Sequence, residues 1–347
     1  MRILETLLTS AILCGASSAF VIPTFAPSDL FSLKGNKSGV TNKLLTYSKT
    51  NGVLDLHEID FAKKASENLS RLQLASQVQF ATLATIDSEE RIIVVTGKGA
   101  SSPDAPVEVN SYNLSLKDQQ TLFRQPSKRA QVTTFKEIEG GFLITFYDSK
   151  YHTLTGKLFQ KDGQWQFKQL FRQRMAANVD TDGANYLVGR AYGDAIGMDG
   201  DLKLVTGGKE IVLPTLRGVS SALLVQLDAD KNPEVLAGDG WHQNYGKIAE
   251  PRLTLFDYNE ETQAYEPKVL INEKESQQFR FDFIDQTSNG LILAGGMHGA
   301  HVFAPQKDWA KVDLKGTKGG VVSKAVDLGN NTFAVFDGRV SIQTVTF

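Results

Sequence analysis

Cysteine is nearly absent from this chain of 347 residues: its only one, Cys14, lies close to the amino terminus. A disulfide framework is therefore excluded, and so are thiolate metal sites and a cysteine nucleophile beyond that point. An excess of one charge is absent too, because 37 basic residues balance 39 acidic residues. The composition thus gives no indication of a nucleic-acid partner or of an anionic membrane surface.

Long apolar runs are missing, and the run near the amino terminus is too short to cross a bilayer. We predict no integral membrane segment. The run follows a basic residue and precedes small residues, with Ser17 and Ala19 at the −3 and −1 positions of a cut. This layout is typical of a secretory signal peptide. We therefore predict a signal peptide at residues 1–19, a single domain at residues 20–347, and a periplasmic or secreted protein. A lipid anchor on Cys14 is the alternative.

Helical periodicity and common enzyme motifs are also absent. The sequence contains no HExxH, GxSxG or phosphate-binding loop. Apolar and β-branched runs separated by glycine, asparagine and aspartate fill the chain instead, and such runs predict short strands joined by turns. The fold is therefore predicted to be all-β.

One sequence unit recurs: an apolar strand, an acidic residue at a turn, a second apolar strand and often a glycine. Successive copies begin 42 to 57 residues apart, at Asp87, Glu137, Asp180, Asp228, Asp285 and Asp327. Two further strand-like runs follow in each copy. A unit of four short antiparallel strands, A to D, takes about this length in a β-propeller, so each copy is predicted to form one blade.

The ends of the chain set the predicted number of blades. Residues 29–75 hold one more, degenerate unit, whereas the last unit, residues 321–347, has only three strands. Residues 20–25 are predicted to supply the missing outer strand, where Pro23 is tolerated at a sheet edge. This closure gives seven four-stranded blades. Six blades are the alternative if residues 29–75 wrap the outside, and a β-sandwich is the general alternative.

Two units carry a family resemblance. Residues 179–189 and 228–238 each have an aspartate-rich loop followed by an apolar strand and a glycine. In this they resemble the FG-GAP/VCBS repeats of integrin-like and bacterial secreted propellers. The resemblance covers most of the chain at the level of the fold, and it implies no single activity, since this fold carries binding modules, scaffolds and enzymes.

The resemblance also implies a cofactor, because such loops often hold Ca²⁺, a hard cation that prefers oxygen ligands. The predicted ligands alternate along one loop: Asp228, Asp230, Asn232 and Glu234. Asp180 and Asp182 form a smaller set. The alternative is that each aspartate hydrogen-bonds the backbone of its own turn.

The face opposite the acidic turns is predicted to bind a ligand. In a meander the A–B turns lie on one face and the B–C connections on the other, and four of the five histidines fall in B–C segments. Propellers converge these connections on the mouth of the central channel. The predicted ligand-binding residues are Arg190, Tyr192, Asp194, Asp239, Trp241, His242, His298 and His301. The alternative is a set of solvated loop residues.

The leading functional hypothesis is non-catalytic: recognition of a glycan, a peptide or a protein partner at the B–C face. An aromatic residue beside a histidine and a glycine-rich backbone suits such ligands. The first alternative is a carbohydrate-active enzyme similar to a polysaccharide lyase. His242 and Tyr245 would then act as base and acid, and Arg190 would stabilise the developing charge. The second alternative is a structural subunit of an envelope assembly.

Overall fold

The structure is a computed structural model that describes residues 15–22, 29–32, 42–97, 105–126, 131–149, 152–174, 176–190, 201–216, 218–228, 232–240, 251–272, 280–297, 299–316 and 322–347. Within these ranges the chain forms 28 strands and a single 3₁₀ turn, Pro305–Lys307. The strands pair into seven antiparallel sheets of four strands each. No helix in the described part of the chain has the length and apolar character needed to span a membrane.

Each of the first four blades consists of four strands that are consecutive in the chain. Blade 1 consists of β2 (Asp29–Ser32), β3 (Lys43–Ser48), β4 (Val53–Asp60) and β5 (Ala65–Gln73). Blade 2 consists of β6 (Gln77–Ile86), β7 (Glu89–Gly97), β8 (Val107–Tyr112) and β9 (Gln120–Gln125). Blade 3 consists of β10 (Val132–Ile138), β11 (Gly141–Tyr147), β12 (His152–Lys161) and β13 (Gln164–Arg174). Blade 4 consists of β14 (Ala176–Thr181), β15 (Tyr186–Arg190), β16 (Leu202–Thr206) and β17 (Lys209–Leu213).

Blades 5 and 6 also consist of consecutive strands, whereas blade 7 combines strands from both ends of the chain. Blade 5 consists of β18 (Ser221–Val225), β19 (Glu234–Asp239), β20 (Arg252–Asn259) and β21 (Ala264–Asn272). Blade 6 consists of β22 (Arg280–Gln286), β23 (Ile292–Met297), β24 (Gly299–Ala304) and β25 (Ala310–Asp313). Blade 7 consists of β26 (Lys324–Gly329), β27 (Thr332–Phe336), β28 (Val340–Thr346) and β1 (Gly15–Ile22).

The seven sheets form a ring in chain order. Contacts link the strands at the inner edges of successive blades, and β26 of blade 7 contacts β2 of blade 1. The predicted all-β, seven-bladed propeller of four-stranded blades is therefore confirmed. The six-bladed alternative is wrong, because residues 29–73 supply a complete blade, and so is the β-sandwich.

An apolar cluster lies between each pair of neighbouring blades. Alternate residues of a strand point to opposite faces of its sheet, so each blade contributes to two clusters. In β4, Leu54 and Leu56 pack towards blade 2, whereas Ile59 packs towards blade 7. Burial on both faces explains why the second strand of each blade is a nearly continuous apolar run rather than an alternating one.

The glycine of the repeat serves this packing. At Gly238 in β19, a Cβ atom would lie 2.5 Å from the Cβ of Phe281, a buried residue of the next blade. Any side chain there would push blades 5 and 6 apart. The glycine is therefore required by the approach of a neighbouring blade and not by a turn.

The ring is closed by the pairing of β1 with β28, which was predicted, although the strand lies earlier than expected. It spans Gly15–Ile22, whereas residues 20–25 were predicted, and residues 23–28 lie outside the described ranges. Phe20 and Ile22 belong to the cluster between blades 7 and 1. The predicted cut after Ala19 would leave both in place, and that cut stays a prediction.

A polar group is buried at the same closing interface. The His57 side chain in β4 is hydrogen-bonded through Nε2 to Thr46 Oγ1 at 3.0 Å. Asp55, on the same face, accepts two hydrogen bonds from Arg71, at 2.7 and 2.9 Å. Burial lowers the pKa of His57, with a further contribution from the charge of Arg71, and the Asp55 carboxylate offsets this only in part. His57 is therefore held neutral at the closure.

The first prediction concerns the closing strand. Ile22 is 1% exposed and Val21, its neighbour in β1, is 47% exposed. Ile22→Ala should lower the free energy of unfolding by about 2–5 kcal/mol, because it leaves a cavity between blades 7 and 1. The matched variant Val21→Ala should change it by less than about 0.5 kcal/mol. Urea denaturation measures both, and equal effects of the two variants would contradict closure through this face of β1.

The second prediction concerns His57. The unfolded chain binds a proton at a pKa near the ordinary value of about 6.5, whereas the folded chain does so only at lower pH. Stability should therefore fall as the pH drops through about 6.5 and continue to fall until the lowered pKa is passed. The His57→Gln variant, which keeps a hydrogen-bonding group near Thr46, should show a smaller loss. Urea midpoints at pH 7 and pH 5 test this, and parallel losses in both proteins would count against it.

Candidate functional site

The structure describes three of the eight predicted ligand-binding residues. Arg190 is the last residue of β15 and Asp239 the last residue of β19. His301 lies within β24. The others fall outside the described ranges, and so does Tyr245: they are Tyr192, Asp194, Trp241, His242 and His298. The side chain of Arg190 is likewise outside the description.

The B–C connections differ sharply in length from blade to blade. Three are long, at residues 98–106, 191–201 and 240–251 of blades 2, 4 and 5. The other four connections are short, at residues 49–52, 148–151, 298 and 337–339. Long connections on a rigid scaffold commonly carry function. Two of the three come from adjacent blades, and these two contain four of the eight predicted ligand-binding residues.

Asp239 clamps the base of the longest connection. Its carboxylate accepts hydrogen bonds from Arg252 Nε at 3.1 Å and Nη2 at 2.8 Å, across the hairpin of β19 and β20. It also accepts hydrogen bonds from Thr254 Oγ1 at 3.2 Å and from the backbone N–H of Leu216 at 2.6 Å. The side chain is fully buried. Asp239 therefore has a structural role, and its contact with a ligand stays a prediction.

His301 also has defined protein partners. Its Nδ1 lies 2.8 Å from Oδ1 of Asp313 on β25, and its ring packs against Phe303 at 6.2 Å between centroids. Burial opposes ionisation of Asp313, but hydrogen bonds from His301 and Lys311 hold the pKa of that carboxyl below its ordinary value. His301 is 8% exposed. The contacts described for the His301 ring are with residues of its own blade, and its role in binding stays a prediction.

The acidic turns of the repeat do not share one geometry. Asp87 lies in a two-residue turn, whereas Asp180 and Asp327 end up inside strands. Asp180 joins three blades, because it forms an ion pair with Lys136 of blade 3 and accepts the N–H of Leu224 of blade 5. Asp182 accepts the N–H groups of residues 184 and 185 in its own turn. The contacts of Asp182 are those of the structural alternative, whereas these contacts of Asp180 run to neighbouring blades, and calcium at either residue stays a prediction.

At the predicted calcium loop the structure brings three carboxylates together. One oxygen each of Asp228, Glu234 and Asp257 lies within 4.8 Å of the others. Asn232 lies in the same connection, and Asp230 is outside the described ranges. Three neighbouring carboxylates suit Ca²⁺, which takes six to eight oxygen ligands including carbonyls and water. Calcium at this loop stays a prediction.

Asp257 was not predicted, because it lies on a different strand. Val235 of β19 pairs with Phe256 of β20, so the next residue along β20 falls beside Glu234. Only the register between the two strands reveals this. The burial of Glu234 raises its pKa, and the negative charges of Asp228 and Asp257 raise it further, against a hydrogen bond from the N–H of Leu227.

Comparisons with known proteins support the fold and leave the function open. No protein-family profile and no curated protein matches the sequence. Among solved structures, the crystal structure of Raptor from Chaetomium thermophilum is similar, with a TM-score of 0.56 and 12% sequence identity. The match covers 95% of this chain and 28% of that protein. At this identity the likeness concerns the propeller fold alone. The resemblance to FG-GAP/VCBS repeats rests on its two motifs.

The third prediction tests the carboxylate cluster. Because the pKa of Glu234 is raised in the folded chain, its ionisation costs stability at neutral pH. This cost disappears as the pH falls through the raised pKa towards about 4.5. With a chelator at pH 7, Glu234→Gln should therefore be more stable than the wild type, and the difference should shrink towards pH 4.5.

Calcium should reverse the order of stability at pH 7. If Ca²⁺ binds, it raises the melting temperature of the wild type and has little effect on Glu234→Gln. Glu261→Gln, at an exposed turn of the same blade, is the control and should respond to calcium as the wild type does. Identical melting curves of the wild type with calcium and with chelator would contradict a calcium site.

Proposed function

We propose that this chain is a non-catalytic binding module that recognises a glycan, a peptide or a protein partner at the B–C face, in the periplasm or outside the cell. The observation that supports this most is the length of the adjacent B–C connections at 191–201 and 240–251. Both arise from neighbouring blades of a closed ring, so a ligand on this face would meet two connections together. Rigid sheets that present long connections suit recognition.

The clamped base of the 240–251 connection favours this proposal. Asp239 and Arg252, which flank the connection, form an ion pair whose carboxylate is buried, and this carboxylate also accepts a hydrogen bond from the N–H of Leu216 in the linker between blades 4 and 5. The two blades are thereby fixed to each other beneath the proposed site. Trp241 and His242 follow Asp239 in the sequence after a single glycine, Gly240. An aromatic side chain on a fixed base provides large contact area at a low cost in conformational entropy.

The fourth prediction tests this face. Trp241→Ala and His242→Ala should each weaken ligand binding at least about tenfold, as expected for central contact residues. Their melting temperatures should stay close to that of the wild type, because the substitutions leave the blade sheets intact. The matched control is His152→Ala, at the start of β12 beside the short connection of blade 3, and it should bind like the wild type. The measurement is a glycan and peptide array followed by titration of each captured ligand.

The array outcomes separate the proposal from its rivals. Binding by the wild type that both blade 5 variants lose supports recognition at the B–C face. Full binding by both variants would move the site elsewhere on the propeller. Turnover of a captured polysaccharide, lost in Tyr245→Phe, would replace recognition by catalysis.

A further inference from the structure

A cleft lies on the other face of the ring, between blades 2 and 3, where the A–B and C–D turns are found. Its volume is about 330 Å³. The A–B turns of both blades and the C–D hairpin of blade 3 line it. It is separate from the B–C connections and from the carboxylate cluster of blade 5. Its size lies at the lower end of the range for small-ligand sites.

One wall of the cleft is the end of an aromatic column. Phe135 stacks on Phe142 at 5.0 Å, and Phe142 stacks on Trp165 at 5.9 Å between ring centroids. The column begins in the apolar cluster between the two blades and ends at Trp165, which is half-buried and lines the cleft. Packing in the core therefore fixes the orientation of the indole at the surface.

The rim of the cleft is acidic. Asp87 and Glu137 are exposed and line it, and the described residues of its lining include no basic side chain. Lys157 of blade 3 donates a hydrogen bond from its ammonium group to the backbone carbonyl of Glu139 at 2.7 Å. A ligand in this cleft would thus meet two carboxylates and an indole.

The backbone holds this arrangement in place. Asp87 and Ser88 both have positive φ, as a tight hairpin turn requires, and Gln160 Nε2 donates to Asp87 Oδ2 at 3.3 Å. Gly141, at φ 151°, passes so close to β12 that a Cβ atom would collide with the carbonyl of Leu158. Only glycine fits at this position, so the backbone of β11 is held close against β12 at the edge of the cleft.

From this arrangement we infer that the cleft binds a guanidinium group carried on an alkyl stem, as in an arginine side chain. A planar guanidinium stacks on an indole by a cation–π interaction and pairs with carboxylates through its fork of N–H donors. A neutral sugar would stack on the indole, but it has no positive charge to pair with the two carboxylates. This site is independent of the B–C face, so either proposal survives the failure of the other.

The test follows the indole N–H resonance of Trp165 by NMR in the full chain, assigned by its loss in Trp165→Phe. Addition of N-acetyl-arginine methylamide should shift it saturably, with a dissociation constant on the order of 1 mM. The neutral isostere N-acetyl-citrulline methylamide should leave it unshifted over the same range. Added salt should weaken the binding of the arginine probe, because the carboxylates are exposed.

Matched variants test whether the carboxylates of Asp87 and Glu137 bind the arginine probe. Asp87→Asn keeps a residue that tolerates positive φ, and combined with Glu137→Gln it should weaken binding of the arginine probe by about tenfold or more. The control is Asp162→Asn, in the exposed turn between β12 and β13 of blade 3. Asp162 also has positive φ and lies outside the cleft lining, so this variant should bind like the wild type. Melting curves of all variants show whether they are folded.

Each outcome decides the matter. Tighter binding of n-butylguanidine, which has the same single charge, than of the arginine probe would support the same chemistry with a small guanidine compound as its source, and the reverse would indicate a protein partner. Equal shifts by the arginine and citrulline probes, a shift by a neutral disaccharide alone, or no shift by any probe would overturn the proposal. So would full binding of the arginine probe by the doubly neutralised variant.

Discussion

Burial of both faces of every blade requires a closed ring, and closure depends on the pairing of β1 with β28. A sheet that packs on two neighbours needs a partner on each side, so an open ring would expose the apolar faces of blades 1 and 7. The cluster formed by Ile22, Leu44 and Ile342 shows how this is avoided. The buried His57 and Asp55 at the same interface have their own hydrogen-bond partners, as buried polar groups require.

The repeat predicted the architecture because it combines two independent signals. Apolar runs of strand length report burial, and the regular return of an acidic residue and a glycine reports the unit that repeats. The start of β1 at Gly15 escaped prediction, because the same small and apolar residues are typical of a signal peptide. The composition of that segment suits both a cleaved signal and an outer strand; the pairing with β28 reveals the strand, and the cut stays a prediction.

Some parts of the candidate sites could be predicted from the sequence, and other parts could not. Asp228 and Glu234 were accessible to prediction because they lie in one turn, whereas Asp257 joins them through strand register. Asp239 ends β19, and its four hydrogen bonds come from residues that the sequence does not pair with it. The cleft at Trp165 also went unnoticed, since its carboxylates and its indole come from three hairpins. Local motifs predict turns, but a site formed by residues of two blades becomes visible only in the folded structure.

The register of β1 on β28 also determines how the ring responds to force. Gly15 pairs with Thr346 and Ile22 pairs with Val340, so both chain ends leave blade 7 at the same end of the strand pair. Hydrogen bonds of an antiparallel pair run perpendicular to the strands. Tension applied through the two ends would therefore load these bonds one after another, as in opening a zipper, rather than all at once in shear. The propeller resists heat and denaturant through seven packed interfaces, yet a pull on its ends would meet only one hydrogen-bonded pair at a time.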